Sequence, residues 1–192
     1  MTIFLILAPF GAFALLMLMA SAPVSLFTSA AICLAVIGYD VVRGRSIKLL
    51  GAASVVLFGA LGCYVALVDP GLGTSAIKLC IDAGVFAISL ASIAFGFPFT
   101  LQYAREVVDS ETAELPGFLP ANYVITWAWT AAFLAMMAAN VLMIYSPSLP
   151  LWSGLAIAFA ARNSASYFTK WYPEYRKAKY AAAPTAANAM AS

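Results

Sequence analysis

The sequence predicts an all-α integral membrane protein, a polytopic bundle of about six transmembrane helices. Of its 192 residues, 64% are hydrophobic and 9% are charged, against about 25% charged in a typical soluble domain. The apolar residues form long stretches, each close to the roughly 20 residues that cross a hydrocarbon core of about 30 Å. The basic residues fall on alternate connections. We therefore expect a single transmembrane domain over residues 1–180, surrounded by a lipid bilayer.

Six apolar stretches are long enough to be spans. They cover residues 3–20, 24–42, 47–68, 75–97, 123–145 and 151–168. The first stretch resembles a signal peptide, because Ala20-Ser21-Ala22 has the small residues of a cleavage site. No Lys or Arg precedes it, however, and Pro23 would directly follow the cut. We therefore predict a first span here.

The longest polar connection runs from Gln102 to Pro120, between the fourth and fifth spans. Pro116 and Pro120 predict that it is an extended loop. We expect its carboxylates to be solvated rather than to converge on a divalent cation; they belong to Glu106, Asp109, Glu111 and Glu114. After the last span, the Ala-rich and uncharged segment 181–192 is predicted to be a disordered tail.

The distribution of basic residues predicts the orientation, because cytoplasmic connections are enriched in Lys and Arg. The connections after the second, fourth and sixth spans contain Arg43, Arg45, Lys48, Arg105, Lys170, Arg176, Lys177 and Lys179. The other connections contain none. With six spans, both termini are then cytoplasmic, and we expect a multi-pass protein of a bacterial inner membrane. A re-entrant hairpin formed by the first two stretches predicts the same cytoplasmic face and stays open.

Composition also argues against several classes of function. The net charge is +2, without a basic cluster that would neutralise nucleic-acid phosphates. The chain has no histidine, which rules out His-ligated haem, His-containing zinc or copper sites and a His general base. No Gly-rich phosphate loop or Ser nucleophile elbow occurs. We therefore expect no nucleic-acid binding, enzymatic activity, cofactor or metal site.

A candidate polar site lies within the fourth span, where charged side chains are costly and raise a functional question. Lys78 and Asp82 are four residues apart, so they share a helix face and are predicted to pair. Ser89 and Ser92 extend this face as a polar stripe. Either the stripe lines a water-filled path, or Lys78 reaches the membrane surface and holds Asp82 in a structural pair.

Two residues of other spans complete the candidate site. Arg162, in the sixth span, either pairs across helices or reaches the cytoplasmic headgroups, and we favour the second interpretation. Asn140, in the fifth span, shares a face with Thr126 and Thr130. Such residues commonly form hydrogen bonds between helices, so we favour a packing role for Asn140.

The part of the chain from Lys48 to Phe168 also contains several short motifs in a recognisable order. They are Ile77-Lys78 with Val85-Phe86-Ala87 in one apolar span, Arg105-Glu106, Trp127-Ala128-Trp129, Phe133 and Asn140. In this order they resemble the bacterial inner-membrane septation protein A family. The sequence departs from that family at Ala128, where a basic residue is expected, and at Arg162-Asn163. The resemblance implies a role in envelope maintenance and division through protein partners, with no catalytic site to transfer.

Two hypotheses of function follow. In the first, a non-enzymatic membrane protein acts through membrane-protein partners or as a homo-oligomer. In the second, the chain is a small-solute or ion transporter or channel, with the stripe of the fourth span lining its path.

Overall fold

The computed structural model describes residues 2–146 and 148–189, and this part of the chain is all helical, without a strand. Its eight helices are α1 (Thr2–Leu16), α2 (Ala22–Val42), α3 (Leu49–Leu67), α4 (Thr74–Ala94), α5 (Phe99–Ala104), α6 (Ser110–Glu114), α7 (Phe118–Tyr145) and α8 (Leu151–Ala189). The predicted all-α bundle is confirmed.

Four of the described helices, α2, α3, α4 and α7, are long and apolar enough to cross a membrane. The chain is therefore a membrane protein. Helix α1 has 15 residues and is about 22 Å long at 1.5 Å per residue, which is shorter than a typical hydrocarbon core. Helix α8 is long, but Arg162 and Asn163 lower the hydropathy of its first part.

Glycines in a left-handed conformation follow two of these spans. Gly44, with φ of 69°, lies just after α2, and Gly96, with φ of 79°, lies just after α4. Glycine has no Cβ and adopts this conformation without steric cost. The N–H of Phe97 then donates to the carbonyl of Ser92 at 2.9 Å. Helix α4 consequently ends at Ala94, three residues before the predicted end of the span.

The stretch from Gln102 to Pro120 is not the predicted extended loop, because it contains the end of α5, all of α6 and the first turn of α7. The carboxylate of Asp109 accepts a hydrogen bond from the backbone N–H of Thr112 at 2.7 Å and caps α6. This bond lowers the pKa of Asp109. Pro120 lies in the first turn of α7, where a helix does not require the missing N–H.

Helix α8 continues well beyond the predicted end of the sixth span. It extends to Ala189 and so includes much of the segment that was predicted to be disordered, while residues 190–192 lie outside the described part. Alanine has the highest intrinsic helix propensity, which favours continuation of the helix into this Ala-rich segment.

The bundle consists of two groups of helices, α1 with α2 and α3, and α4 with α7 and α8. In the first group, the ring of Phe58 lies 5.4 Å from that of Phe10 and 5.6 Å from that of Phe13, between ring centres. In the second, the indole N–H of Trp129 on α7 donates to the hydroxyl of Thr169 on α8 at 2.9 Å. The groups meet where α3 packs against α4, with Leu57 directly against Gly84.

Candidate functional site

The serines of the predicted stripe are buried and hydrogen-bonded within the protein. The hydroxyl oxygens of Ser89 and Thr130 are 2.6 Å apart, which joins α4 to α7. Ser92 donates to the carbonyl of Ser89 at 2.7 Å and accepts from the N–H of Phe99 at 3.2 Å. Ser89 therefore connects two helices, and Ser92 stabilises the turn from α4 into α5.

Further hydroxyl groups extend this row along α7. Thr130 donates to the carbonyl of Thr126 at 2.8 Å, and the hydroxyl oxygens of Thr126 and Thr100 are 2.7 Å apart. Thr100 also donates to the carbonyl of Asn122 at 3.0 Å. All four residues are buried. The part of the stripe that contains Ser89 and Ser92 is therefore a packed, hydrogen-bonded interface between α4, α5 and α7.

Asp82 lies about 10 Å from Ser89 along α4, at 1.5 Å per residue, and has a different environment. Its carboxylate accepts a hydrogen bond from the side-chain amide of Asn140 on α7 at 2.6 Å. Among the described side chains, Lys78 forms no ion pair within 4.0 Å, so its predicted partnership with Asp82 is electrostatic rather than a direct contact. Asn140 engages the carboxylate instead, while Lys78 stays half-buried one turn nearer the start of α4.

Arg162 of α8 is half-buried and interacts electrostatically with Asp82, as does Lys78. This interaction with α4 agrees with the other interpretation, in which Arg162 pairs across helices, and not with the favoured one, in which it reaches the cytoplasmic headgroups. Four of the six candidate residues thus lie together, and we call Lys78, Asp82, Asn140 and Arg162 the upper cluster. Ser89 and Ser92 belong to the separate interface nearer the C-terminal end of α4.

Sequence reasoning missed an ionic cluster at the start of α3. The Nζ atom of Lys48 lies 2.6 Å from Oδ2 of Asp40 and 3.0 Å from Oε1 of Glu106. Lys48 is buried, with 5% exposure, and the side chain of Glu106 is only 16% exposed. The prediction of a solvated Glu106 was therefore wrong, because Lys48 offers this carboxylate a buried partner. Asp40 was the available signal, since it is a carboxylate inside the predicted second span.

This ionic cluster joins the α2–α3 connection to the segment after α4. The N–H of Leu49 donates to the side-chain oxygen of Gln102 at 2.7 Å, and Lys48 Nζ lies 5.7 Å from the centre of the Tyr103 ring. Burial, reinforced by the carboxylates of Asp40 and Glu106, raises the pKa of Tyr103. Lys48, Asp40 and Tyr103 also line a cavity of about 30 Å³, which has room for about one water molecule.

Within residues 2–146 and 148–189, no group of three or more Cys, Asp or Glu side chains is placed to hold a metal ion. No protein-family model, curated protein or solved structure matches the chain.

Proposed function

We propose that this protein crosses a bacterial inner membrane six times, with both termini in the cytoplasm, and acts without catalysis through protein partners in envelope maintenance and division. The observation that carries this proposal is the closed interface between α4 and α7. The hydroxyls of Ser89 and Thr130 bind each other and are buried, so this part of the stripe offers no path to a solute. The resemblance to the septation protein A family supplies the envelope role.

The proposed orientation is supported by contacts among the segments that contain basic residues. Lys48, before α3, contacts Glu106, after α5. Nη1 of Arg176, on α8, donates to the carbonyl of Gly117 at 2.5 Å. These segments therefore meet at one end of the bundle, which we call the basic end. Enrichment of Lys and Arg in cytoplasmic segments then favours a cytoplasmic basic end.

The connection between α5 and α7 offers a surface for a partner. Val107 is 67% exposed and Leu115 is 55% exposed, and both lie outside the four helices that can cross a membrane. Large apolar side chains at the core of a protein interface supply much of its apolar contact. We propose that the partner contacts this connection.

A photo-crosslinking amino acid at Val107 or Leu115, in cells that depend on the protein for division, tests the partner. We expect an adduct with a specific envelope or division protein from both positions and not from Ser110, which is exposed on the same connection. Leu115→Glu should abolish the adduct from Val107 and reproduce the division defect of cells without the protein. The proposal would be rejected if Leu115→Glu cells divided normally and the protein with the crosslinking amino acid at Val107 or Leu115 formed no adduct.

Single cysteines at Ser89 and Ser92 test whether the stripe is closed. In a background where Cys33, Cys63 and Cys80 are replaced, we expect both to resist a membrane-impermeant thiol reagent applied from either side. A cysteine at Gly71, which is exposed, is the positive control. Labelling of both stripe positions would indicate a water-filled path and would favour transport.

Transport is the second candidate function, and the charges of the upper cluster are the observation that favours it. Asp82 and Arg162 interact across helices at a depth where isolated charges are costly. If these charges move a solute, flux into proteoliposomes should fall in Asp82→Asn. Unchanged flux in that variant would remove the reason for the hypothesis.

A further inference from the structure

Two polar contacts join the two helix groups at the basic end. The Nζ atom of Lys48 lies 3.0 Å from Oε1 of Glu106, and the backbone N–H of Leu49 donates to Oε1 of Gln102 at 2.7 Å. Gln102 and Glu106 belong with the second group, because α5 packs against α4 and α7. Water can replace a polar contact that opens, so its net contribution to stability is much smaller than its strength in isolation. The groups can therefore part more easily here than where apolar packing joins them.

The bonds within the ionic cluster are unequal, and the more complete ones lie inside the first group. The ammonium of Lys48 donates to Oδ2 of Asp40 at 2.6 Å. The Nη1 atom of Arg45 lies 3.4 Å from Oδ1 of the same carboxylate. Asp40 thus has two cations on its own side of the boundary between the groups. If Glu106 moves away, no charge of the first group loses its only partner.

Glu106 is the least satisfied member of this cluster. Both of its carboxylate oxygens are buried, yet no donor in the described part of the chain forms a hydrogen bond with either of them. Its 3.0 Å contact with Lys48 is consequently a charge contact without hydrogen-bond geometry. A buried acceptor without a donor is costly, and hydration of the carboxylate would remove that cost. Arg105 and Val107, on either side of it, are already exposed.

Away from the basic end, the two groups are in close contact near the middle of α3 and α4. A Cβ atom at Gly84 would lie 2.5 Å from Cδ1 of Leu57. Leu57 lies about 14 Å along α3 from Lys48, at 1.5 Å per residue. Beside the ionic cluster, by contrast, Tyr103 and residues of α1, α2 and α3 line the cavity of about 30 Å³. The close contact can therefore act as a pivot, while the less completely packed basic end moves.

We propose that the contact between Lys48 and Glu106 is a latch that opens and closes the basic end of the bundle. When the latch opens, the two helix groups tilt apart about the contact between Leu57 and Gly84. Lys48 then stays with Asp40, and the carboxylate of Glu106 is hydrated. The latch depends on neither proposed function, because a distance between helices is measured without a partner or a solute.

Distances between two spin labels on the full chain in nanodiscs, in the cysteine-replaced background, test the latch. The labels are attached at Arg43 in the first group and at Lys170 in the second, and both positions are exposed. The double variant Glu106→Gln/Gln102→Leu removes the two polar contacts across the boundary. A rigid-body tilt of about 15° over an arm of about 14 Å moves the helix ends about 4 Å apart. We expect the label distance to increase by at least that much.

Two further label pairs distinguish a tilt from unfolding. Leu119 and Lys170 both belong to the second group and are exposed, so their distance should stay the same in the double variant. Ser21 and Ser148 are exposed at the opposite end of the two groups. Because a tilt about the middle of the helices moves the two ends in opposite directions, the distance between them should stay the same or shorten.

Glu174→Gln is the matched control, since the pair of Glu174 with Lys177 is exposed, and this variant should change none of the three distances. If the double variant does not fold, Glu106→Gln alone is measured with the same label pairs and decides in its place. An unchanged distance between Arg43 and Lys170 would overturn the proposal. Lengthening at both ends of the bundle would also overturn it, because the groups would then separate instead of tilting.

Discussion

At the scale of single residues, the charged side chains show which features a sequence can reveal. Asp82 and Arg162 stand out because they interrupt apolar spans, and both lie in the upper cluster. Lys48 lies at the edge of a predicted span and Glu106 in a polar connection, where charged residues are expected, so Asp40 inside its apolar span was the one signal of their cluster. The partner of a charge depends on how distant segments pack, and the sequence contains that information only indirectly.

Lys48 provides a prediction of stability. Lys48→Met should lower the free energy of unfolding by about 3–5 kcal/mol, because it leaves the buried carboxylates of Asp40 and Glu106 without their shared cation. Denaturation of the purified protein in mixed micelles measures this change. Lys177→Met is the control, since the pair with Glu174 is exposed and contributes no more than about 1 kcal/mol. Equal losses in the two variants would contradict the structural role of Lys48.

Asp109 provides a prediction of pH dependence. The N–H of Thr112 donates to its carboxylate and lowers its pKa. A lowered pKa means that the cap stabilises α6 at and above the ordinary titration range of aspartate and is lost as the pH falls through the lowered pKa. The amide resonance of Thr112 should therefore shift in acid, with a midpoint below that of a free aspartate. Asp109→Asn keeps a capping oxygen and should abolish the shift; a shift that persists in this variant would assign it to another group.

At the scale of elements, the apolar stretches predicted where the long helices lie, but several of their ends were wrong for local reasons. Helix α4 ends early because Gly96 adopts a left-handed conformation, whereas α7 begins at Phe118, before the predicted span, because Pro120 is tolerated in a first helical turn. The stripe on α4 was visible from helical periodicity. Its partners on α7 were not, since several polar residues of α7 were equally available.

The contact between α3 and α4 provides a prediction at this scale. A Cβ atom at Gly84 would lie 2.5 Å from Cδ1 of Leu57, so Gly84→Val should destabilise the protein by about 1–3 kcal/mol through overpacking. Leu57→Ala in the same chain should recover part of that loss. Gly59→Val is the control, because nothing lies within 4 Å of its Cβ position. A Gly84→Val protein as stable as the Gly59→Val protein would show that the helices separate easily at this contact.

At the scale of the whole molecule, the two groups of helices are joined by contacts at two levels along the bundle. Leu57 meets Gly84 between α3 and α4, and Lys48 meets Glu106 at the basic end. The upper cluster lies wholly within the second group, on α4, α7 and α8. A change in the upper cluster can therefore alter the second group without directly breaking the ionic cluster. We expect variants of the upper cluster and variants of Lys48 to act independently.

The number of crossings is the remaining prediction, and single cysteines in the cysteine-replaced background decide it. Ser21, Gly71 and Ser148 should be labelled only from the periplasmic side, and Arg43 and Arg105 only from the cytoplasmic side. All five positions are exposed, so protection from both sides would indicate the membrane rather than packing. Helix α2 has 21 residues, about 31 Å at 1.5 Å per residue, and is long enough to separate Ser21 from Arg43. Labelling of Ser21 from the cytoplasmic side alone would instead mean that α1 and α2 form a re-entrant hairpin and that four helices cross.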